Sequence, residues 1–246
     1  MVNFAVQIAG RIAAVSALFS SSKDYCTGYL SEGEPDFSVV ITQQDIALEQ
    51  EKAARTNIAE GKAVQHVSAA QLELTAIQRK IAQELFTYDT VLFHGSVVAV
   101  DDAAYLFTAK SGTGKSTHTR LWREMLGQRA VMVNDDKPFL RLIGDFVLAC
   151  GSPWNGKHHL GTNVQIPLKA ICILERGEEN TIEKIEPKDA LHMLLQQSNR
   201  PVGAKLMGKY LEMIDTIANR VELFRLRCNM EPQAAVLSYQ TMSQEP

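Results

Sequence analysis

The stretch FTAKSGTGKSTHTR, residues 107–120, follows a short apolar run and decides how the rest of the chain is read. Its window Ala109–Ser116, A-K-S-G-T-G-K-S, departs from the phosphate-loop (Walker A) pattern G-x-x-x-x-G-K-[ST] only at the first position. Gly112 and Gly114 permit positive φ and a close approach of the main chain to a ligand. Successive backbone N–H groups over Ser111–Lys115 would form a nest for phosphate oxygens. A helix opening near Lys115 would aim its positive end at the same anion. Ser111, Gly112, Thr113, Gly114, Lys115, Ser116 and Thr117 are therefore expected on a nucleotide, ATP, with Lys115 neutralising β/γ charge and the Ser116 hydroxyl on Mg²⁺. Ala109 is tolerable at a strand exit if its φ is negative.

One helix and one strand later the chain reads Asn134-Asp135-Asp136. Two adjacent carboxylates can divide labour: one holds Mg²⁺, the other accepts a proton from a substrate hydroxyl. Asp135 is placed on the metal and Asp136 on the acceptor, although the spacing also allows the reverse. The polar loop GSPWNGKHH, Gly151–His159, offers Lys157 as an acceptor contact, with Trp154 as its anchor. Adjacent histidines point in different directions, so His158 and His159 do not by themselves make a metal site.

Composition narrows the classes. The 246 residues suffice for one large or two modest domains, and a hydrophobic fraction of 46% is that of a globular protein. A net charge of -3 argues against a general grip on nucleic acid. Cys26, Cys150, Cys172 and Cys228 are scattered, with no C-x-x-C pair, which speaks against a zinc ribbon or a disulfide framework; Cys172 and Cys228 read as buried core thiols. The N-terminal run MVNFAVQIAGRIAAVSALFSSS lacks a basic leader and is broken by Arg11, and no stretch reaches the roughly 18 apolar residues of a membrane span. A soluble, cytoplasmic protein without nucleic-acid or membrane partners is expected.

Periodicity sets the organisation. Phe4, Val6 and Ile8 alternate as in a strand, DFSVVI (36–41) reads as a second, and 20–35 between them reads as loop. Ser68-Ala69-Ala70-Gln71 has the form of a capping box, and Ala70, Leu74, Ile77, Ile81 and Leu85 mark one face of a helix over about 69–86. From Thr90 the pattern turns to short strands: VLFHG, SVVAV, AYLFTA after the Asp101-Asp102 turn, AVMV, the hairpin FLRLIGDFVLA, LKAICIL and VELFRL. Pro187 and Pro232 open two helices.

Taken together, FHGSVVAV, YLFTAKSGTGKST and VMVNDD resemble the HPr kinase/phosphorylase and phosphoenolpyruvate carboxykinase superfamily. The likeness spans about 92–175; residues 1–86 carry none. The segment CGSPWNGKHHLG (150–161) stands where HPr kinase has an arginine-glycine-leucine-glycine signature, and looks more like the divergent HPr-kinase-like proteins. The resemblance implies an α/β fold: a mixed-sheet P-loop kinase core over 89–246, with a small N-terminal α/β unit over 1–88. It implies His94 beside the transferred phosphate, Lys115 and Ser116 on nucleotide and metal, and Asp135 and Asp136 at metal and acceptor. The expected function is an ATP- and Mg²⁺-dependent kinase acting on a hydroxyl, foremost serine of a peptide or protein. A small-molecule kinase on the same scaffold, or a nucleotide-sensing module without turnover, stands as the alternative.

Overall fold

A computed structural model describes residues 1–59, 61, 63 and 67–244. The chain divides into two units, Met1–Thr87 and Tyr88–Pro246.

In the first unit, β1 (Val2–Ile8) turns through Ala9-Gly10, both at positive φ, into the antiparallel β2 (Arg11–Ala17), and β3 (Phe37–Val40) pairs with β2 in parallel. Two long helices accompany the sheet, α2 (Gln43–Ala59) and α3 (Ala69–Thr87), after a short α1 (Ser20–Tyr25). The expected capping box is present: the amide of Gln71 donates to Ser68 Oγ, and that of Ser68 to Gln71 Oε1. The helix 69–86 is realised as α3, with its buried side chains running Leu72, Ala76, Ile77, Ile81, Leu85 and Phe86; Ala70 and Leu74 are only half-buried.

The segment 20–35, expected as loop, is helical over Ser20–Tyr25 and again in a 3₁₀ turn, Thr27–Tyr29. A side chain far along the chain is responsible. Glu73 of α3 is fully buried and accepts hydrogen bonds from the amides of Leu18 and Phe19 and from the Ser22 hydroxyl. It therefore holds the entry of α1, a helix too short to persist on local propensity. Replacing Glu73 by Ala leaves two amides and a hydroxyl unpaired in the interior; the full chain should lose roughly 2–4 kcal/mol in urea unfolding, with Glu73→Gln losing less.

In the second unit nine strands, counted among the described residues, form one mixed sheet. They are β4 (Thr90–Leu92), β5 (Ser96–Val100), β6 (Ala103–Thr108), β7 (Ala130–Asn134), β8 (Phe139–Ile143), β9 (Phe146–Cys150), β10 (Gln165–Arg176), β11 (Thr181–Lys184) and β12 (Glu222–Cys228). The helices are α4 (Lys115–Leu126), α5 (Pro187–Gln197), α6 (Ala204–Arg220) and α7 (Pro232–Met242). The 12-residue β10 links two regions. Its first residues pair antiparallel with β9, and its remainder runs parallel to both β6 and β12.

Strand direction positions the site. Since β5 is antiparallel to both β6 and β7, those two run the same way, and β10 and β12 run with β6. Four strands thus deliver their carboxyl ends to one edge, the place where open α/β sheets bind ligands. Under this edge Phe107, Trp122, Tyr105, Leu226 and Met242 build a buried cluster against α4 and α7.

Candidate functional site

The turn from β6 into α4 is the glycine loop. Gly112 and Gly114 take φ of +77° and +116°, conformations that L side chains rarely adopt. Among the described residues Ala109 is not one of the non-glycines at positive φ, so a Cβ at the first loop position meets no backbone objection. Ala109 is fully buried, and its carbonyl accepts a hydrogen bond from Lys115 Nζ at 3.2 Å. The loop's outer turn is exposed at Ser111, and Thr113 closes it by donating its hydroxyl to Lys110 O. The loop leads straight into the N-terminus of α4, whose first-turn amides lack intrahelical acceptors.

Across the edge, β7 ends at Asn134, whose side chain is fully buried. Its Oδ1 accepts the amides of Asp136 (2.9 Å) and Lys137 (2.6 Å), and its Nδ2 donates to Ser152 O and Ser152 Oγ. This clamp splits the acid pair into two environments. Asp135 is 7% exposed and accepts the Gly156 amide at 2.6 Å. Asp136 is half-buried and pairs with His94 Nε2 at 3.2 Å.

Burial alone would raise the Asp136 carboxyl, but the His94 hydrogen bond and the charges of Lys137 and Lys115 outweigh it and hold it below the usual carboxylate value. Burial depresses Lys115; Asp136 opposes that effect and Lys137 adds to it. Lys115 and Asp136 thus feel each other's charge. His94 is fixed through its backbone, its amide donating to Gln197 O and its carbonyl accepting from Thr108 Oγ1.

Two hollows flank the loop. One, of about 380 Å³, is lined by Ser116, Thr117 and Asp135, with Arg120, Arg123 and His158 further along. The Ser116 hydroxyl and Asp135 carboxylate are hard oxygen donors of the kind Mg²⁺ accepts while it keeps several waters. Among the described residues no three His, Cys, Asp or Glu side chains form a ready-made metal cluster. The second hollow, about 480 Å³, has Gly112–Gly114 on one side and Leu121, Leu174 and Met230 as apolar walls. A larger hollow of about 520 Å³, by Lys169, Lys184 and Arg220, contains no loop residue, and these cations are already spent on Ser243 O, Glu222 and Gly144 O.

Arg176 was not singled out by the sequence. At the end of β10 it donates to Gly112 O at 2.6 Å and so braces the loop from the neighbouring strand. Only the register of β10 against β6, Ile173 beside Thr108, brings it there. Lys157 is exposed on the loop after β9, beside Gly156. Of the two cysteines read as core thiols, Cys172 is fully buried, but Cys228 is half-buried and lines the second hollow.

No protein-family model and no curated protein sequence matches the chain. Among solved structures it is similar to the Hpr(Ser) kinase/phosphatase from Coxiella burnetii, at 11% identity and a TM-score of 0.37, over 63% of this chain and 99% of that one. At that level of likeness, the reading of the site rests on its residues. Among the described residues no helix is long and apolar enough to cross a membrane.

Two predictions concern the frame. A Cβ at Gly156 would lie 2.9 Å from Asp135 Oδ2 and 3.2 Å from its Cγ. Gly156→Ala should therefore cost about 1–3 kcal/mol in thermal unfolding, whereas Lys157→Ala next door should stay within roughly 0.5 kcal/mol. The second concerns His118 on α4, buried against α7, where its Nε2 and Trp122 Nε1 share Ser238 Oγ. Burial lowers the His118 pKa to about 4, against roughly 6.5 unfolded. As pH falls below about 6.5 the unfolded chain takes up the proton first, so stability falls and the loss is complete only below about 4. Urea midpoints at pH 7 and pH 5 should differ more in the native chain than in His118→Gln.

Proposed function

We propose that the protein is an ATP- and Mg²⁺-dependent phosphotransferase that moves the γ-phosphoryl group to a hydroxyl, with serine of a peptide or protein as the acceptor implied by its resemblance. What supports this reading is the pairing of two loop residues with two acids at one sheet edge. Ser116 and Asp135 line one cleft, while Lys115 and Asp136 perturb each other's ionisation.

In this reading the loop amides from Ser111 to Thr117 and the Lys115 ammonium hold the polyphosphate. The nucleoside lies in the hollow between Gly112–Gly114 and Leu121, Leu174 and Met230, a volume suited to a base and ribose. Arg176 keeps the loop in its open curve through Gly112 O. Ser116 and Asp135 would hold Mg²⁺, which supplies charge neutralisation at the phosphates. The acceptor hydroxyl is oriented by Asp136, whose carboxylate is ionised and steadied by His94. The acceptor oxygen forms a bond to the γ-phosphorus as the bond to the bridging oxygen of the departing ADP breaks. The hydroxyl proton passes to the Asp136–His94 pair and on to solvent.

A second reading, a small-molecule hydroxyl as acceptor, is favoured by the partly enclosed 380 Å³ cleft, a size typical of metabolite sites. Incubation with γ-labelled ATP and Mg²⁺ separates the two by where the label lands, in a macromolecule or a small product. Lys115→Ala should abolish both tight nucleotide binding and turnover. Asp136→Asn should bind nucleotide within a few-fold of the native chain and lose about 10²–10⁴-fold in transfer; full activity in Asp136→Asn would remove it from the proton path.

A further inference from the structure

Ser116, Arg120 and Arg123 fall at i, i+4 and i+7 on α4 and line the same cleft as Asp135. At 1.5 Å per residue, Arg120 lies about 6 Å and Arg123 about 10 Å along the helix from Ser116. Arg120 Nη1 is 2.6 Å from Glu124 Oε1, but both side chains are more than half exposed, at 55% and 56%. Such a solvated pair is worth little and is readily exchanged for another anion. Arg123 is half-buried, and among the described residues its guanidinium has neither an ion-pair nor a hydrogen-bond partner. His158 reaches the cleft from the loop after β9, and Met132 and Leu160 supply apolar wall. Among the described residues Asp135 is the one carboxylate lining the cleft, and it is tied to the Gly156 amide.

The cleft therefore carries two guanidinium forks: Arg123, without a protein anion among the described residues, and Arg120, whose pairing with Glu124 is solvated and exchangeable. Guanidinium groups bind carboxylate and phosphate through paired, parallel hydrogen bonds. We propose that the phosphoryl acceptor is anionic: a hydroxyl compound whose carboxylate or phosphate sits on Arg120 and Arg123, with its hydroxyl directed toward the Lys115–Asp136 pair. This inference rests on the phosphotransferase reading and names the class of its acceptor. A small hydroxy acid or phosphorylated alcohol and a serine flanked by acidic residues present the same chemistry.

Calorimetry on the full chain saturated with Mg²⁺ and the non-hydrolysable analogue AMP-PNP tests it. The small-molecule arm compares glycerate and glycerol 3-phosphate with glycerol; the peptide arm compares capped Asp-Asp-Ser-Asp-Asp with capped Ala-Ala-Ser-Ala-Ala. The charged member of at least one arm should bind at least tenfold more tightly than its neutral counterpart, and the arm that responds identifies the source of the anion. Arg120→Gln and Arg123→Gln should each weaken that binding about tenfold or more, and Arg225→Gln, outside the cleft, should not. Equal binding of charged and neutral probes, no binding in either arm, or arginine variants that bind as the native chain does would overturn the proposal while leaving the nucleotide reading intact. Absence of heat with AMP-PNP itself would remove both.

Discussion

The buried amide of Asn134 is the constraint on which the site depends. A primary amide offers two donors and two acceptor lone pairs, and this one is engaged on both sides. It takes two main-chain amides just past its own strand and gives its Nδ2 hydrogens to the start of the loop after β9. Ser152 extends the network by donating to Lys137 O. A fully buried amide with unmet hydrogen bonds is costly, so chain path, loop position and the split between Asp135 and Asp136 are tied into a single arrangement. One carboxylate then lies against the Gly156 amide and the other against an imidazole, and the two acquire different chemistry from identical side chains.

Much of the second unit is legible in the sequence because its strands are short, apolar and separated by turn residues. Asp101 and Asp102 both adopt positive φ, and Gly144-Asp145 closes the hairpin of β8 and β9. The glycine loop declares itself by spacing alone, since phosphate-loop geometry demands particular residue types at particular intervals. The His94–Asp136 contact does not, because it depends on how β4 and β7 are arranged in the sheet. Arg176 is hidden for the same reason: nothing local to LERG announces that the next strand over ends in a glycine turn.

Other elements escape for different reasons. In β2 the buried residues are Ala13, Val15 and Ala17, and alanine is a weak strand signal. Helix α2 is polar on most of its surface and buries only Ile46 and Glu49. It is held by a Thr42–Asp45 cap and by Arg79 and Lys80 of α3 binding Asp45. Burial would raise the Asp45 carboxyl, but these hydrogen bonds and ion pairs dominate and keep it well below the ordinary range. Helix α6 is the opposite case. Tyr210, Met213, Ile214 and Ile217 form a plain apolar stripe, legible from spacing although no helix is assigned to it in the sequence reading.

The long β10 has a mechanical consequence. It begins where the segment carrying Gly156 and His158 ends, and it finishes at the guanidinium that steadies Gly112. Its first residues, Gln165–Pro167, pair with β9, Ala170–Ile173 are held between β6 and β12, and the pairing with β6 shifts register between Leu168 and Ala170. One strand thus sets both where the polar stretch ends and where the brace on the glycine turn begins, so a change in its register would displace both together.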